Sequence, residues 1–569
     1  MQIRQLTIRH FRGIESLDWT PCISTICLIG SNDSTKTTVL EAIDYVLSPK
    51  WNIPFSDADF YQLDTSIPIE ITVAVGELPN SLLSLQKFGG MLRGWHPNRG
   101  LVDEPSDETE EILSIKLSVN STLEPLWEVI CDRREPVRIS ASDREQFRVT
   151  RIGSYVDREL SWGRGTTLTR ITGDSANSTI NLAEAQRKAR QAISGTPLED
   201  LATTSKKVED LAKPYGVRAK RGFKPAFDAD ILSINTGSLT LHDGEIPIRQ
   251  SGLGSKRLIA LAMQKSITQE GAILLVDEIE HGLEPYRLRQ LVRLLRAGSK
   301  PSSDESQKSY VSQAFVTTHS PIAVVEFSAK ELHVVRSEIG VTSIKQIPDD
   351  LQAVVRAMPE ALLAPRVIVC EGKTEVGLLR ALDTQWMADR NGMAYRGVSV
   401  VEGGGRTSAP QRAIDLKRLG YQVLLFADSD EPITPDRNKV EKEGVSVIQW
   451  DENMNTEGRI FRDLPAAVIV QILEEVIQST TEDKTLESIG PLLNVSRLTL
   501  DKLKEMLNDR QKTNETRNAI ARASGKQAWF KRTDLGELIG RHVSQSVAQI
   551  PNTNLAQKLR LIEQWVYSA

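Results

Sequence analysis

The stretch Val367-Ile368-Val369-Cys370-Glu371-Gly372-Lys373-Thr374-Glu375 decides the fold of the C-terminal part of this 569-residue chain. Its apolar, β-branched start predicts a buried strand of a parallel sheet, and Gly372 permits a sharp turn into an apolar helix predicted at 376–382. Glu371 is therefore expected at the carboxyl end of a strand. In open α/β sheets, that edge is where ligands bind.

A second acidic motif repeats this arrangement further along the chain. The apolar run 423–427 predicts another strand, and Asp428-Ser429-Asp430 follows it directly. Either motif alone is equally compatible with a capping acid or a solvated turn. Together they predict carboxylates that converge on one crevice. Their mutual repulsion calls for cations, and oxygen ligands favour a hard ion, Mg²⁺ or Mn²⁺.

This pair of motifs resembles the Toprim domain of topoisomerases, primases and certain nucleases. Glu-Gly-x-x-Glu follows one hydrophobic strand and Asp-x-Asp follows another, with a helix-length segment expected between them. The resemblance implies metal-assisted phosphodiester chemistry on an α/β fold.

Length and composition set the broad class. A chain this long predicts two or three domains. The formal net charge of −5 gives no global signal for nucleic acid, so DNA contacts must come from local patches or bridging metal ions. The four cysteines lack zinc-site spacing and indicate reduced, mostly buried thiols. We expect a cytoplasmic protein without a signal peptide or membrane span.

The N-terminal part contains a nucleotide-binding motif. The apolar run 26–29 leads into Gly30-Ser31-Asn32-Asp33-Ser34-Thr35-Lys36-Thr37-Thr38 and then a helical pattern. Strand, loop, Lys-Thr and helix are the parts of a P-loop, in which the loop amides hold phosphates, Lys36 bridges the outer phosphates and Thr37 binds Mg²⁺. One departure is Thr35, because the P-loop pattern has glycine there.

The other nucleotide-binding parts follow in order. Residues 272–276 predict a buried strand that ends in Asp277 and Glu278, a Walker B arrangement for Mg²⁺ and the attacking water. The loop 249–255, with Ser251 and Gly252, resembles the signature loop of ABC-type ATPases. Residues 282–284 resemble a D-loop, and His319 resembles the switch histidine.

The ABC resemblance implies a homo-oligomer, a dimer or tetramer through the ATPase domains. In that family, the signature loop approaches the γ-phosphate bound by a partner subunit. We predict an ABC-type ATPase domain at 1–350, with a first edge-type strand at 3–9 and antiparallel strands in 66–76 and 112–133.

A helical insertion is predicted at about 155–225. Residues 182–211 have a helical composition, and 213–224 is locally basic with Tyr215 and Phe223 interleaved. Two interpretations stay open: a helical arm with a solvated face, or a surface for dimerisation or DNA. After a linker, a Toprim domain is predicted at 360–569, with a helical extension in 461–479 and 496–523.

An ABC ATPase joined to a C-terminal Toprim domain resembles the OLD (overcoming lysogenization defect) family of nucleases, which includes the GajA subunit of Gabija antiphage systems. The resemblance covers essentially the whole chain and implies ATP with Mg²⁺ in one domain and two Mg²⁺ or Mn²⁺ ions, about 4 Å apart, in the other. The matching metal ligands are Glu371, Glu375, Asp428, Asp430 and Glu457. Lys531 matches a late lysine that neutralises charge in the transition state, and a helicase partner is expected by analogy.

Three functions are compatible with these features. The first is an ATP-regulated DNA endonuclease of antiphage defence. The second is a repair ATPase resembling RecF or SMC proteins, with a Toprim domain used only for binding. The third is a topoisomerase, but no tyrosine has the context of a nucleophile. The complete set of acids favours the nuclease, because binding alone does not require it.

Overall fold

The computed structural model describes residues 1–83, 87–153, 157, 159–162, 166–172, 184, 188, 199–212, 221–223, 239–267, 272–298, 311–388, 392–479, 482–527 and 529–568.

A large mixed sheet forms the N-terminal part. Its strands, in chain order, are Gln2–Phe11, Ile14–Trp19, Thr25–Ile29, Ile69–Gly76, Arg93–His96, Gly100–Val102, Glu110–Val119, Pro125–Ile130, Val137–Arg138, Val149–Ile152, Ala272–Val276, Val311–Thr317, Leu332–Glu338 and Val341–Gln346. A separate two-stranded ribbon pairs His242–Asp243 with Ile246–Pro247.

The nucleotide-binding motifs lie on the parallel half of this sheet. Neighbouring strands run in the order 149–152, 272–276, 311–317, 25–29 and 332–338, and all of these pairs are parallel. The strands 25–29 and 272–276 are buried at every position, as expected when helices cover both faces. Their carboxyl ends therefore bring the P-loop, Asp277 and His319 to one edge.

The other half is mainly antiparallel and confirms the strands predicted in 66–76 and 112–133. The prediction of an edge strand at 3–9 is wrong: Gln2–Phe11 pairs with Ile14–Trp19 on one side and Ile69–Gly76 on the other. Its buried and half-buried residues alternate because only one face of the sheet is covered at this strand. Central antiparallel strands show this pattern as well as edge strands do, so the pattern does not identify an edge.

A second sheet, with four strands, forms the C-terminal part. The strands are all parallel and lie in the order Val398–Glu402, Arg366–Cys370, Gln422–Ala427, Ser446–Gln449. The segment between the two acidic motifs was expected to be a single helix length. It instead contains two helices and the strand Val398–Glu402, whose short run of valines carries little periodicity.

Helices flank both sheets. In the N-terminal part they are Lys36–Leu47, Asn80–Leu83, Ala141–Arg144, Thr167–Thr172, Glu199–Ala212, Leu253–Ile267, Pro285–Gly298, Pro321–Glu326 and Gln352–Ala357. In the C-terminal part they are Lys373–Ala388, Ala409–Arg418, Arg437–Lys442, Thr456–Asp463, Ala466–Ser479, Glu482–Ile489, Leu500–Asn508, Thr513–Lys526, Thr533–Ser546 and Asn554–Tyr567. The helical extension predicted in 461–479 and 496–523 is confirmed.

Two parts of the predicted insertion at 155–225 are described as helix, Thr167–Thr172 and Glu199–Ala212. Most of the remainder, including the basic stretch 213–220, lies outside the described residues. Within the described part of the chain, no helix has the length and hydropathy needed to cross a bilayer.

One hydrophobic cluster joins the two sheets. It includes Val334 of the large sheet, Ile347 and Val355 after that sheet, and Val369 and Tyr421 in the C-terminal part. The division into 1–350 and 360–569 stays a prediction.

Candidate active site

The acidic residues predicted from the sequence lie together in one pocket, at the carboxyl edge of the four-stranded sheet. The pocket has a volume of about 560 Å³. It is lined by all five predicted carboxylates and the predicted lysine, which are Glu371, Glu375, Asp428, Asp430, Glu457 and Lys531.

Neighbouring parallel strands place Glu371 beside Asp428. The backbone N–H of Glu371 continues the strand ladder and donates to the Phe426 carbonyl at 2.9 Å. The backbone N–H of Asp428 donates to Oε2 of Glu371 at 3.1 Å. The two acidic motifs are thus linked directly, through the ends of the two central strands.

Glu375 and Asp428 are each anchored by local donors. Glu375 lies in the first turn of the helix Lys373–Ala388, is almost fully buried, and accepts from the N–H of Gly372 at 2.8 Å. Oδ1 of Asp428 accepts from both the N–H and the hydroxyl of Thr456, each at 2.8 Å. These bonds fix one oxygen of each carboxylate and so orient the group.

Thr374 connects this motif to the C-terminal helices. Its hydroxyl is 3.1 Å from Oε1 of Glu457 and 3.1 Å from the carbonyl of Phe530. Close helix packing supports this contact, because a Cβ on Gly377 would lie 2.6 Å from the backbone of Gly536. The exposed Lys531 is therefore held at the pocket although it lies far away in sequence.

Burial and mutual repulsion raise the pKa of these acids. Burial, together with the charge of Glu457, raises the pKa of Glu375 to about 7. Burial and the carboxylates of Glu375, Glu457 and Glu371 raise the pKa of Asp428 well above its ordinary value. The pKa of Glu371 and that of Glu457 are also raised, mainly by burial. A bound cation would relieve both effects.

The donor set fits a hard divalent cation, since it consists of carboxylate oxygens with excess negative charge. Within the described residues, no three acidic, histidine or cysteine side chains converge tightly enough to form a ready metal site. The carboxylates line the same pocket but do not converge on one position, as expected of groups with like charge. The arrangement with two ions stays a prediction.

Three charged residues of this pocket were not found from the sequence: Glu402, Arg406 and Glu431. Glu402 ends the strand Val398–Glu402, which is paired with Arg366–Cys370. The sequence did contain a local indication of this strand end, because a mainly apolar run is followed by Glu402 and three glycines, as the Glu371 strand is followed by an acid and a glycine. Glu402 adds a further carboxylate at the same edge.

In the predicted P-loop, the side chain of Lys36 folds back onto the loop. Lys36 is buried, and its Nζ donates to the carbonyls of Gly30 and Ser31 at 3.1 and 2.7 Å and to the Ser34 hydroxyl at 3.0 Å. Burial lowers the pKa of Lys36 to about 8. Gly30 is required, because a Cβ there would lie 2.6 Å from the carbonyl of Val335.

Lys36 and Thr37 begin the helix Lys36–Leu47, whose N-terminus faces the loop. Thr37 is exposed and Thr38 half-buried in its first turn, while Asn32 is exposed in the loop.

Asp277 connects the P-loop to the Walker B strand. Its Oδ1 accepts from the hydroxyls of Thr37 at 3.1 Å and Thr317 at 2.7 Å. Arg257, fully buried in the helix Leu253–Ile267, donates to the carbonyl of Asp277 at 2.6 Å. The helix after the signature loop is therefore bonded to the Walker B turn.

The switch histidine is held beside the same edge by Glu280, which the sequence reasoning did not single out. Glu280 accepts from the backbone N–H of His319 at 2.7 Å and from the hydroxyl of Thr318 at 2.6 Å. Burial and the charge of Lys36 lower the pKa of His319. Glu278 is exposed and lies 3.3 Å from the ring of His281.

The structure accounts for the unusual Thr35. Its φ of 67° is in the left-handed region, which explains why the P-loop pattern has glycine there. The hydroxyl of Thr35 bonds the carbonyl of Ser34 at 2.6 Å and lies 3.2 Å from the hydroxyl of Thr342. These bonds help to hold a β-branched residue in a conformation that costs about 1–2 kcal/mol.

Ser251 and Gly252 lie just before the helix Leu253–Ile267. This helix packs tightly on the D-loop, since a Cβ on Gly254 would lie 2.1 Å from the carbonyl of Gly282. Among the described hydrogen bonds, none joins Ser251 or Gly252 to the P-loop of the same chain. These two predicted nucleotide ligands are thus not linked to Lys36 by any described hydrogen bond.

Comparison with known proteins matches three segments to domain families. An AAA ATPase domain matches residues 1–145 and an AAA domain matches residues 206–326. The TOPRIM domain of overcoming lysogenization defect protein-like sequences matches residues 362–430.

A curated relative and several solved structures are also similar. An OLD nuclease from Thermus scotoductus is 24% identical over 468 residues, covering 75% of this chain and 82% of the relative. The SMC head domain from Thermotoga maritima is 15% identical, covers 61% of this chain and 100% of its own, and has a TM-score of 0.29. A Pyrococcus furiosus Smc head domain, bound to the C-terminal domain of ScpA, is 13% identical, with 63% and 98% coverage and a TM-score of 0.34.

The domain matches agree with the two sheets and with the order of the motifs. Together with the curated relative, they confirm the expected α/β architecture and the resemblance stated from the sequence. The chain joins an N-terminal ATPase part to a C-terminal TOPRIM domain and is similar to an OLD nuclease.

Proposed function

We propose that this chain is a divalent-metal-dependent DNA endonuclease that is regulated by ATP. The observation that carries the proposal is the pocket itself, in which five predicted carboxylates and Lys531 meet at one strand edge of a TOPRIM domain. A domain used only for binding does not need several acids with raised pKa values in one place. Similarity to an OLD nuclease supports a nuclease linked to an ATPase.

The roles follow from position. Glu371, Glu375, Asp428 and Asp430 would hold divalent ions, with Glu457 as a further ligand. Bound Mg²⁺ or Mn²⁺ supplies an activated water and stabilises the leaving oxygen of the phosphodiester. Lys531, exposed at the rim of the pocket, would neutralise the charge that develops on the phosphate.

ATP regulation is supported by a hairpin that reaches from one site toward the other. The strands Leu332–Glu338 and Val341–Gln346 carry Thr342, whose hydroxyl is 3.2 Å from that of Thr35. On the same hairpin, the guanidinium of Arg336 lies 4.1 Å from the ring of the buried Tyr421. Tyr421 directly precedes the strand Gln422–Ala427, which Asp428 follows, so a contiguous set of contacts joins the P-loop to the acids.

The biological setting proposed is bacterial antiphage defence in the cytoplasm, by analogy with OLD proteins such as GajA. DNA is the proposed substrate, a second copy of the chain would complete each nucleotide site through Ser251 and Gly252, and a helicase is the proposed partner. These proposals rest on the OLD resemblance and on the placement of the signature loop.

A plasmid assay tests the nuclease directly. Supercoiled plasmid is incubated with the full chain and Mg²⁺ or Mn²⁺, with an EDTA control. Nicked or linear DNA is expected. Unchanged plasmid together with DNA binding would support a binding-only TOPRIM domain, and relaxed closed circles would indicate a topoisomerase. Either result would contradict the proposal.

A further inference from the structure

Arg406 lies at the rim of the acidic pocket and has no role in the mechanism above. Lys373, Arg406 and Lys531 are the cationic side chains that line this pocket in the described structure. The carboxylates repel a DNA backbone, so cations at the rim are needed to position it.

The glycine loop before Arg406 is bonded to the strand that carries Glu371. The N–H of Gly403 donates to the carbonyl of Cys370 at 2.6 Å, and the N–H of Gly405 donates to that of Glu371 at 2.8 Å. A Cβ on Gly403 would lie 2.3 Å from that of Ala409, so the loop depends on glycine to approach the sheet. The position of Arg406 is thereby fixed relative to Glu371.

Two further bonds brace this loop from outside. Nη1 of Arg412 donates to the carbonyl of Gly403 at 2.8 Å, and the N–H of Thr434 donates to the carbonyl of Arg406 at 3.1 Å. The backbone at Arg406 is therefore held on both sides, while its side chain extends to the rim.

The side chain of Arg406 is half-exposed and forms an ion pair with Glu431, which also lines the pocket. Their side chains are 48% and 57% exposed, so water screens the pair and it is easily exchanged. A guanidinium has a planar fork of donors that matches a phosphate as well as a carboxylate. Glu431 thus pairs with the guanidinium that a phosphate would bind.

We propose that Arg406 is a positioning residue that binds a backbone phosphate of the DNA next to the scissile one, and that Glu431 is the internal competitor displaced by this phosphate. The proposal rests on the nuclease function proposed above and adds the residue that seats the substrate. Such a contact carries no sequence preference, because the phosphate is common to all nucleotides.

The test measures binding of a fluorescent 30-bp duplex by the full chain in an Asp428→Ala background, over a range of salt concentrations. Arg406→Ala should weaken binding about tenfold and reduce the slope of log affinity against log salt by about one. Arg406→Lys should restore the slope but only part of the affinity. Glu431→Gln should tighten binding about threefold.

A matched control and a kinetic measurement complete the design. Arg418 forms a similar exposed pair with Glu443, at 3.1 Å, and does not line the pocket, so Arg418→Ala should change neither affinity nor slope. In the cleaving protein, Arg406→Ala should raise KM for DNA more than it lowers kcat.

The outcomes separate this inference from the nuclease proposal. An unchanged salt slope and KM for Arg406→Ala, in a protein that cuts DNA and is inactivated by Asp428→Ala, would overturn the role of Arg406 alone. A fall in kcat with no change in KM would overturn it as well. A wild-type protein that neither binds nor cuts DNA would remove the nuclease proposal itself.

Discussion

The two candidate sites differ in how their charges are satisfied within the protein. At the P-loop, the ammonium of Lys36 bonds two carbonyls and a hydroxyl, and Asp277 accepts from two threonines. In the TOPRIM pocket, burial brings Glu371, Glu375 and Asp428 together and raises the pKa of each. In the first site these charges have partners within the chain, including the guanidinium of Arg151 at 3.3 Å from Asp277, whereas the second site gathers like charges that require a counter-ion. From this difference we expect nucleotide to change the rate of DNA cleavage, whereas metal is required for cleavage to occur.

The largest expected effect is at Asp428. Asp428→Ala should reduce plasmid cleavage at least about 10³-fold, because it removes a ligand at the centre of the acid cluster. Asp501→Ala is a matched control, since Asp501 is a 94% exposed aspartate outside the pocket. Full cutting by Asp428→Ala, measured under the same metal conditions, would remove the nuclease assignment.

Lys531→Ala should slow cleavage about 10²-fold while leaving metal and DNA binding nearly unchanged, because its proposed role is to neutralise charge during the reaction. Single-turnover cleavage at saturating DNA measures this effect. Arg532→Ala serves as the control, because Arg532 is exposed and paired with Asp534 at 2.6 Å. Equal rates for wild type and Lys531→Ala would mean that another cation has this role.

Lys36→Ala should weaken ATP binding by about tenfold or more and abolish any effect of ATP on cutting. Cleavage measured without nucleotide should stay near the wild-type rate, because Lys36 bonds only within the P-loop. DNA cleavage and phosphate release are followed over an ATP titration. Cutting that strictly requires ATP turnover would contradict the regulatory interpretation.

The smallest expected effect is at Thr35. Thr35→Gly should tighten ATP binding about fivefold, because removal of the side chain lets the backbone approach the phosphates. Thr35→Val keeps the β-branched side chain and loses the hydroxyl contact with Thr342, so it should bind ATP no better than wild type. Tighter binding by the valine variant would show that the bulk of the side chain is not the limiting factor.

The strand-end carboxylates were predictable because their signal is local. A hydrophobic run followed by an acid and a glycine predicted Glu371 at the carboxyl edge, and a second run predicted Asp428 beside it. Lys531 came only from the OLD resemblance. Its position depends on helix packing at Gly377 and Gly536, residues that are remote from each other in sequence.

Other features depended on tertiary contacts that no local pattern reveals. The strand Val398–Glu402 was missed because five residues carry little periodicity. Glu402 and Arg406, at and just after its end, were therefore missed as well. The first strand was wrongly assigned to an edge of the sheet. Alternation of apolar and polar residues shows that one face is covered, but it does not show whether a strand has one neighbouring strand or two. The tolerance of Thr35 likewise depends on Thr342, more than three hundred residues away.

Mn²⁺ binding to the nucleotide-free chain, measured by electron paramagnetic resonance at pH 6 and pH 8, tests the central claim most directly. Burial raises the pKa of Glu375 from 4.5 to about 7, and the pKa values of Glu371, Asp428 and Glu457 are raised as well. Below pH 7 the folded protein holds protons that the cation must displace, so affinity should fall about tenfold or more between pH 8 and pH 6. Without metal, the free energy of unfolding should fall as pH rises from 4.5 to about 7, since the folded state binds these protons more tightly than the unfolded chain.

Two Mn²⁺ ions per chain are expected to bind at pH 8, and this binding should be lost in Asp428→Ala. Mn²⁺ binding that is independent of pH and unaffected by Asp428→Ala would contradict the claim that these acids form the metal site.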